Sequence, residues 1–381
     1  MDAKKKILIV AGESSGDLYG ARLVEAVLSL SPHAEFYGIG GREMEKMGVN
    51  LFFSSSALSV VGITEVLEKM GPIYRAWREM KRFILTQRPN LAVLIDYPGF
   101  NLRLAKVLQE HAVPVLYYVS PQVWAWRPRR IRKIAKRVDK MAVIFPFEVS
   151  LYQRKGVDVE FVGHPLLDIL EEDLTREQSR RRLGVPVGSI LIGLLPGSRE
   201  REVKSLLPPL LEAAEILNRD FPSCRFLLPL ASTLEKRLVQ GYVKGSQLII
   251  DVVEGRTFEV MKASDILLVA SGTATLEGAL AGGPMVIIYR VSPLSYVIGR
   301  IVVKVKCIGL ANIVVGRKVV PELIQGEVRP FIIAQEAGNI LRDPLRREYI
   351  QKEFEGVSEK LGGRGASQRV AQIALQMMGT V

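Results

Sequence analysis

The residues able to do chemistry stand, one group after another, where an apolar run of strand length ends. Residues 266–270 carry no charge, and Ser271, Gly272 and Thr273 follow them, with Glu277 four positions beyond Thr273. Small residues there leave backbone N–H groups exposed, and a helix starting at that point adds the positive end of its dipole, which suits a phosphate. Neither a Walker lysine nor the full GxGxxG spacing is present, so the reading is a nucleotide without a P-loop. In the competing account Thr273 caps the helix and Glu277, in its first turn, complements the dipole; a capping box, however, wants the acid three residues after the cap.

Asp96 closes the run 91–95 and is followed by Tyr97-Pro98-Gly99-Phe100-Asn101. An acid at the carboxyl end of a parallel strand is a candidate general base; otherwise it organises a turn. Glu13, Ser14, Ser15 and Gly16 follow the run 5–11, where an ordinary strand-to-helix connection with Asp17 near the helix start is the alternative. Arg199 ends Pro196-Gly197-Ser198-Arg199 after the run 191–195, and its guanidinium suits a diphosphate. His164, one of three histidines, reads as structural, because no second metal ligand is spaced near it.

The elements that must position these groups alternate between short apolar runs and amphipathic segments. Strands are expected at 5–11, 37–41, 91–95, 115–119, 141–145 and 160–162, then, after an acidic and polar stretch near residue 170, at 191–195, 225–229, 248–252, 266–270 and 285–289. Strand–loop–helix repetition of this kind gives parallel sheets covered on both faces. With 381 residues and 48% hydrophobic composition, two domains are expected, and the helices from about residue 330 are expected to run back onto the first.

Two cysteines, Cys224 and Cys307, cannot build a disulfide framework and suit a reducing cytoplasm. The first residues leave no apolar core for a signal peptide. The longest charge-free stretch, 47–64, is broken by Asn50 and three serines, so no membrane span is expected. The net charge of +12 is concentrated: residues 127–140 hold eight basic side chains against one acid. A solvated helix face is the plain account. Trp124 and Trp126 beside Arg129, Arg130 and Lys133 instead suit an anionic membrane surface or lipid headgroup. Nucleic acid is not expected, since no RNA- or DNA-binding motif accompanies the charge. The apolar segment 51–77 is read as core or as a surface for acyl chains.

Taken together, AGESSGD (11–17), DYPGFN (96–101), YVSPQVWAWR (118–127), GHPL (163–166), LLPGSRxxE (194–202), SGTATLE (271–277), LANIVVGR (310–317) and PELIQ (321–325) resemble the lipid-A-disaccharide synthase family of inverting glycosyltransferases. The strings cover nearly the whole chain in family order, and VSPQVWAWR with DYPGFN is the most specific pair. The resemblance implies a GT-B fold: two Rossmann-like parallel-sheet domains facing a cleft, residues 1–168 and 169–344, with helices from about 345–381 packing back on the first.

It further implies transfer from UDP-2,3-diacylglucosamine to 2,3-diacylglucosamine 1-phosphate, without metal or other cofactor. Ser271, Gly272, Thr273 and Arg199 would meet the diphosphate, and Glu277 would accept from ribose hydroxyls. Asn312, Glu322 and Gln325 would contact the donor. Asp96 would be the base, with Glu13 next in line, and Ser14, Ser15 and Gly16 would help close the site. Attachment would be peripheral, on the cytoplasmic face of the inner membrane, with a homodimer left open. The alternatives are another GT-B enzyme on a UDP-amino sugar, such as a 2-epimerase or a peptidoglycan-precursor transferase, and a non-catalytic basic protein binding RNA or membrane.

Overall fold

A computed structural model describes residues 4–55, 70–123, 130–170, 174–292, 296 and 307–379. The chain divides into two compact units: unit 1 comprises Met1–Ile169 with Leu361–Val381, and unit 2 comprises Leu170–Lys360.

Unit 1 is built on β1 (Lys6–Ala11), β2 (Glu35–Gly40), β3 (Asn50–Ser54), β4 (Leu91–Ile95), β5 (Val115–Tyr118), β6 (Lys140–Val143) and β7 (Val159–Phe161), all parallel, in the order β3-β2-β1-β4-β5-β6-β7. Helices cover both faces, so β4 is buried at every position and reads as an unbroken apolar run. The strand order reverses between β1 and β4, and the register pairs Ala11 with Ile95. The loops beginning at Gly12 and at Asp96 therefore leave the sheet side by side, at the switch point where doubly wound sheets bind ligands.

Unit 2 repeats the plan with β8 (Ile190–Leu195), β9 (Cys224–Leu230), β10 (Ile250–Glu254), β11 (Ile266–Ala270), β12 (Met285–Tyr289) and β13 (Glu322–Ile324), ordered β10-β9-β8-β11-β12-β13. Its switch point lies between β8 and β11, where Leu195 pairs with Val269. A short helix, Thr257–Ala263, which the sequence pattern does not single out, precedes β11.

The chain rejoins unit 1 at Leu361 rather than at about 345, because the helix Pro344–Glu355 packs with the helices of unit 2. The returning helix, Ala366–Met377, buries Val370, Ala371, Ile373, Ala374 and Leu375 and packs against the helix Ser14–Leu30. Asp168 caps it, its two carboxylate oxygens accepting from the Gly365 and Ser367 N–H groups at 2.6 and 2.8 Å. Arg369 anchors it from the other side, donating from Nε to the Val162 carbonyl at 2.8 Å. His164 is buried and structural: Nδ1 accepts from the Leu166 N–H, and burial pushes its pKa down to about 3.

The apolar segment 51–77 is only partly described. Of its last residues, Ala76 is buried, and Ile73 and Trp77 pack on the unit 1 core, Trp77 edge-on to Phe100 at 5.6 Å. They belong to the core rather than to a surface for acyl chains, while Tyr74 is exposed. Residues 56–69 lie outside the described residues. No helix among the described residues is long and apolar enough to cross a membrane.

Candidate active site

At the unit 1 switch point, the residue types that suggested chemistry are gathered by strand register. Glu13 is the N-cap of the helix Ser14–Leu30, and its carbonyl accepts from the Asp17 N–H at 2.9 Å. The Glu13 side chain itself makes no capping hydrogen bond to that helix start. Asp17 is spent elsewhere: it is buried, and its carboxylate accepts from the N–H groups of Gly41, Glu43 and Met44 at 2.6 to 3.1 Å, capping the helix Arg42–Lys46. Sequence spacing places Asp17 near its own helix start and gives no sign of a partner more than 20 residues away.

Beside Glu13 the backbone is strained. Asp96 and Tyr97 both adopt left-handed conformations, φ +43° and +45°, and Val119, just past β5, sits at φ +61°. Such values are uncommon for non-glycine residues and cost roughly 1–3 kcal/mol each, so they persist where surrounding structure enforces them, often at functional sites. Here the surroundings are visible. The Asp96 N–H donates to the Tyr118 carbonyl at 3.0 Å, and the Asp96 carbonyl accepts from Asn101 Nδ2 at 2.8 Å and from the Tyr117 hydroxyl. The Tyr97 ring lies over Gly12 so closely that a Cβ there would come within 2.3 Å of it. Burial raises the Tyr97 pKa, and the neighbouring Glu13 charge adds to the shift. Glu13 and Asp96 thus share one sheet edge. Tyr97, Asn101 and Tyr117 are residues that sequence reasoning missed; the DYPGFN string holds the first two, but nothing in it marks them as supports.

At the unit 2 switch point, Ser271 and Gly272 connect β11 to the helix Thr273–Leu280. The N-cap is Gly272, at φ +152° and ψ −159°, a conformation open essentially to glycine alone, and it has no side chain with which to cap the helix. Thr273 is therefore the first helical residue and not the cap, and Glu277 falls in the second turn rather than the first. The N–H groups of Gly272, Thr273 and Ala274 find no acceptor among the described residues. They form a donor set of the kind an anion takes.

Glu277 is partly buried, and its carboxylate has no hydrogen-bond or ion-pair partner among the described residues. Burial alone pushes its pKa up to about 7. A carboxylate kept unpaired in that setting is poised to accept a hydrogen bond from something else. Arg199, after β8, is exposed, and its guanidinium meets Glu202 at 3.2 Å. The same Glu202 accepts from the Ser198 and Arg199 N–H groups, which shapes the loop.

Asn312, Glu322 and Gln325 have a different use. Fully buried Asn312 donates from Nδ2 to the Val320 carbonyl and Glu322, and its Oδ1 accepts from the Val319 and Val320 N–H groups, which uses all four of its hydrogen-bonding positions. Glu322 accepts from the Ile308 and Gly309 N–H groups, and the Ile308 carbonyl in turn accepts from Ser271 Oγ at 3.1 Å. Gln325 pairs with both backbone groups of Val291. These side chains brace the Ser271 loop and its neighbours.

The basic run is not one solvated face. Among its described residues only Ile131–Ile134 is α-helical, with Ile131 and Ile134 buried and Arg132 and Lys133 exposed. Arg137 donates to the Leu102 carbonyl, Lys140 pairs with Asp158 and Glu160, and the positive charge of Arg130 acts on buried Tyr117. Trp124, Trp126 and Arg129 lie outside the described residues.

Comparison with known proteins agrees with this two-unit plan. A family model described as lipid-A-disaccharide synthetase matches residues 7–377. A lipid-A-disaccharide synthase of Geobacter metallireducens is 47% identical over 375 residues, covering 98% of each chain. Among solved structures, a Staphylococcus aureus protein described as a MnaA–UDP co-structure superposes with a TM-score of 0.68 at 12% identity, covering 100% of this chain and 98% of that one. The glycotransferase of kitacinnamycin superposes with a TM-score of 0.65 at 14% identity, covering 98% and 99%. At such identities these structures speak for the fold, two parallel-sheet α/β units of the GT-B kind.

Proposed function

Because the chain belongs to the lipid-A-disaccharide synthase family and is thus a hexosyltransferase, we propose that it transfers 2,3-diacylglucosamine from UDP-2,3-diacylglucosamine to 2,3-diacylglucosamine 1-phosphate. The products are the β-1,6-linked disaccharide 1-phosphate and UDP. The observation that carries the assignment of roles is the Glu277 carboxylate, unpartnered among the described residues, on the helix whose leading N–H groups, at Gly272, Thr273 and Ala274, are likewise unfilled among them. Those N–H groups, with Arg199, bind the diphosphate and stabilise the charge that develops as UDP leaves. Glu277 in its ionised form accepts from the ribose hydroxyls. UDP in the S. aureus co-structure of the same fold supports a uridine diphosphate as the ligand.

Asp96 takes the proton from the acceptor's 6-hydroxyl, on the face of the anomeric carbon opposite departing UDP, in one inverting displacement. Support for Asp96 over Glu13 is the strain enforced at residues 96 and 97 and the three hydrogen bonds that hold the Asp96 backbone. Ser14, Ser15 and Gly16, at the neighbouring helix start, border the same edge. Asn312, Glu322 and Gln325 act as supports of the nucleotide loop. Exposed Arg132 and Lys133 draw the enzyme to anionic lipid from the cytoplasmic side, where its acylated substrates reside.

The epimerase alternative rests on fold likeness to UDP-N-acetylglucosamine 2-epimerases at 12% identity, against 47% identity to a disaccharide synthase, and is not carried further. The deciding experiment offers purified enzyme the acylated and the deacylated forms of donor and acceptor. Disaccharide 1-phosphate is expected only from the acylated pair, and equal turnover of UDP-N-acetylglucosamine would overturn the assignment.

A further inference from the structure

We propose that Tyr117 and Asn101 are positioning residues for the transfer, holding the Asp96 peptide in its left-handed conformation and so fixing where the Asp96 carboxylate stands. The inference rests on the reading of Asp96 as the base.

A carbonyl oxygen offers two lone pairs, and at Asp96 both are taken by side chains: Asn101 Nδ2 at 2.8 Å and the Tyr117 hydroxyl. The N–H on the other side of the residue is held by the Tyr118 carbonyl at 3.0 Å. Rotating residues 96 and 97 back to ordinary φ values would swing the carbonyl away from both donors. The two hydrogen bonds therefore oppose the relaxation that the strained backbone would otherwise undergo.

Both supports are fully buried, and both are placed by secondary structure. The register of β4 and β5 sets Tyr117 opposite Leu94, two residues before Asp96. Asn101 lies in the first turns of the helix Pro98–Glu110, and its Nδ2 also reaches the Ile95 carbonyl at 3.2 Å. Its Oδ1 has no partner among the described residues, so the amide is buried at a cost for the sake of its donor end. Phe and Leu would fill the same volumes without burying polar atoms. Burial raises the Tyr117 pKa well above its ordinary value, so the phenol keeps its proton and donates at any working pH.

A base must stand within hydrogen-bond reach of the hydroxyl it deprotonates, and small displacements of a reacting group carry large rate penalties. Tyr117→Phe keeps the ring and removes only the donor. It is expected to lower kcat about tenfold, with UDP affinity and the KM for the nucleotide sugar little changed. In an Asp96→Asn background the same change should add less than about twofold, because both substitutions strike one step. Asn101→Leu should behave alike and carries the test if Tyr117→Phe does not fold. Normal kcat in a folded Tyr117→Phe enzyme, or losses that multiply in the double variant, would overturn the proposal. Near-normal turnover by Asp96→Asn alone would instead remove Asp96 as the base, so the two failures are told apart.

Discussion

Replacing Glu277 with Gln is expected to raise the stability of unit 2 while weakening nucleotide binding. The native carboxyl titrates at about 7, against an ordinary 4.5, with burial as the sole cause. A raised carboxyl pKa means that the folded state holds the proton more tightly than the unfolded chain. Stability therefore falls as pH rises from about 4.5 to 7 and is level above that. The displacement corresponds to about 3 kcal/mol of unfavourable charge burial at pH 8, and side-chain exposure lowers the expected gain from Gln to about 1–2 kcal/mol. At pH 5 the gain should nearly vanish. For a unit of this size each kcal/mol moves the midpoint by roughly 2–4 °C.

Binding should move the other way. The ribose hydroxyls lose an ionised acceptor, at about 1–2 kcal/mol. UDP affinity of the parent enzyme should also fall as pH drops below 7, beyond any titration of UDP itself, which the Gln variant reports. Thermal unfolding at pH 5 and 8, paired with calorimetric UDP titrations of both proteins, tests each part. A Gln variant less stable at pH 8, or a parent whose UDP affinity tracks the variant at every pH, would refute the reasoning.

Arg199→Ala should weaken UDP binding by about 1.5–3 kcal/mol without loss of fold, and unchanged affinity would remove Arg199 from the diphosphate site. Asp96→Asn should cut turnover roughly 100-fold or more while UDP still binds, measured by product formation beside UDP titration. Arg132→Glu with Lys133→Glu should reduce sedimentation with anionic vesicles at low salt, an effect that added salt erases; equal pelleting of parent and variant would count against membrane docking at this segment. Asp168→Ala removes both caps of the returning helix, with an expected loss of about 1–2 kcal/mol and faster amide exchange across 366–377.

The alternation of strands and helices was legible because strands buried on both faces leave charge-free runs, as in Leu91–Ile95 and Ile266–Ala270. The edge positions of Asp96, Arg199 and Ser271 follow from where such runs end. What a polar side chain faces was not legible. Asn312, Glu322 and Gln325 stand in strings that look like ligand contacts, yet their partners are backbone groups of Val320, Ile308 and Val291, brought close only by the fold. Asp17 is hidden in the same way by the 24 positions that separate it from Gly41. Asn101 and Tyr117 read as helix and strand residues until the helix start and the β4–β5 register aim both at one carbonyl.

The return of residues 361–377 to unit 1 has a consequence for synthesis. Unit 2 is continuous in sequence, so it can fold as soon as it has left the ribosome, while the seven-stranded sheet made earlier still lacks the helix that covers its Ser14–Leu30 face. At roughly 5–20 residues per second, nearly 200 residues of unit 2 hold that face open for some 10–40 seconds. An apolar surface exposed for so long, on the half of the chain made first, is where a chaperone would be needed.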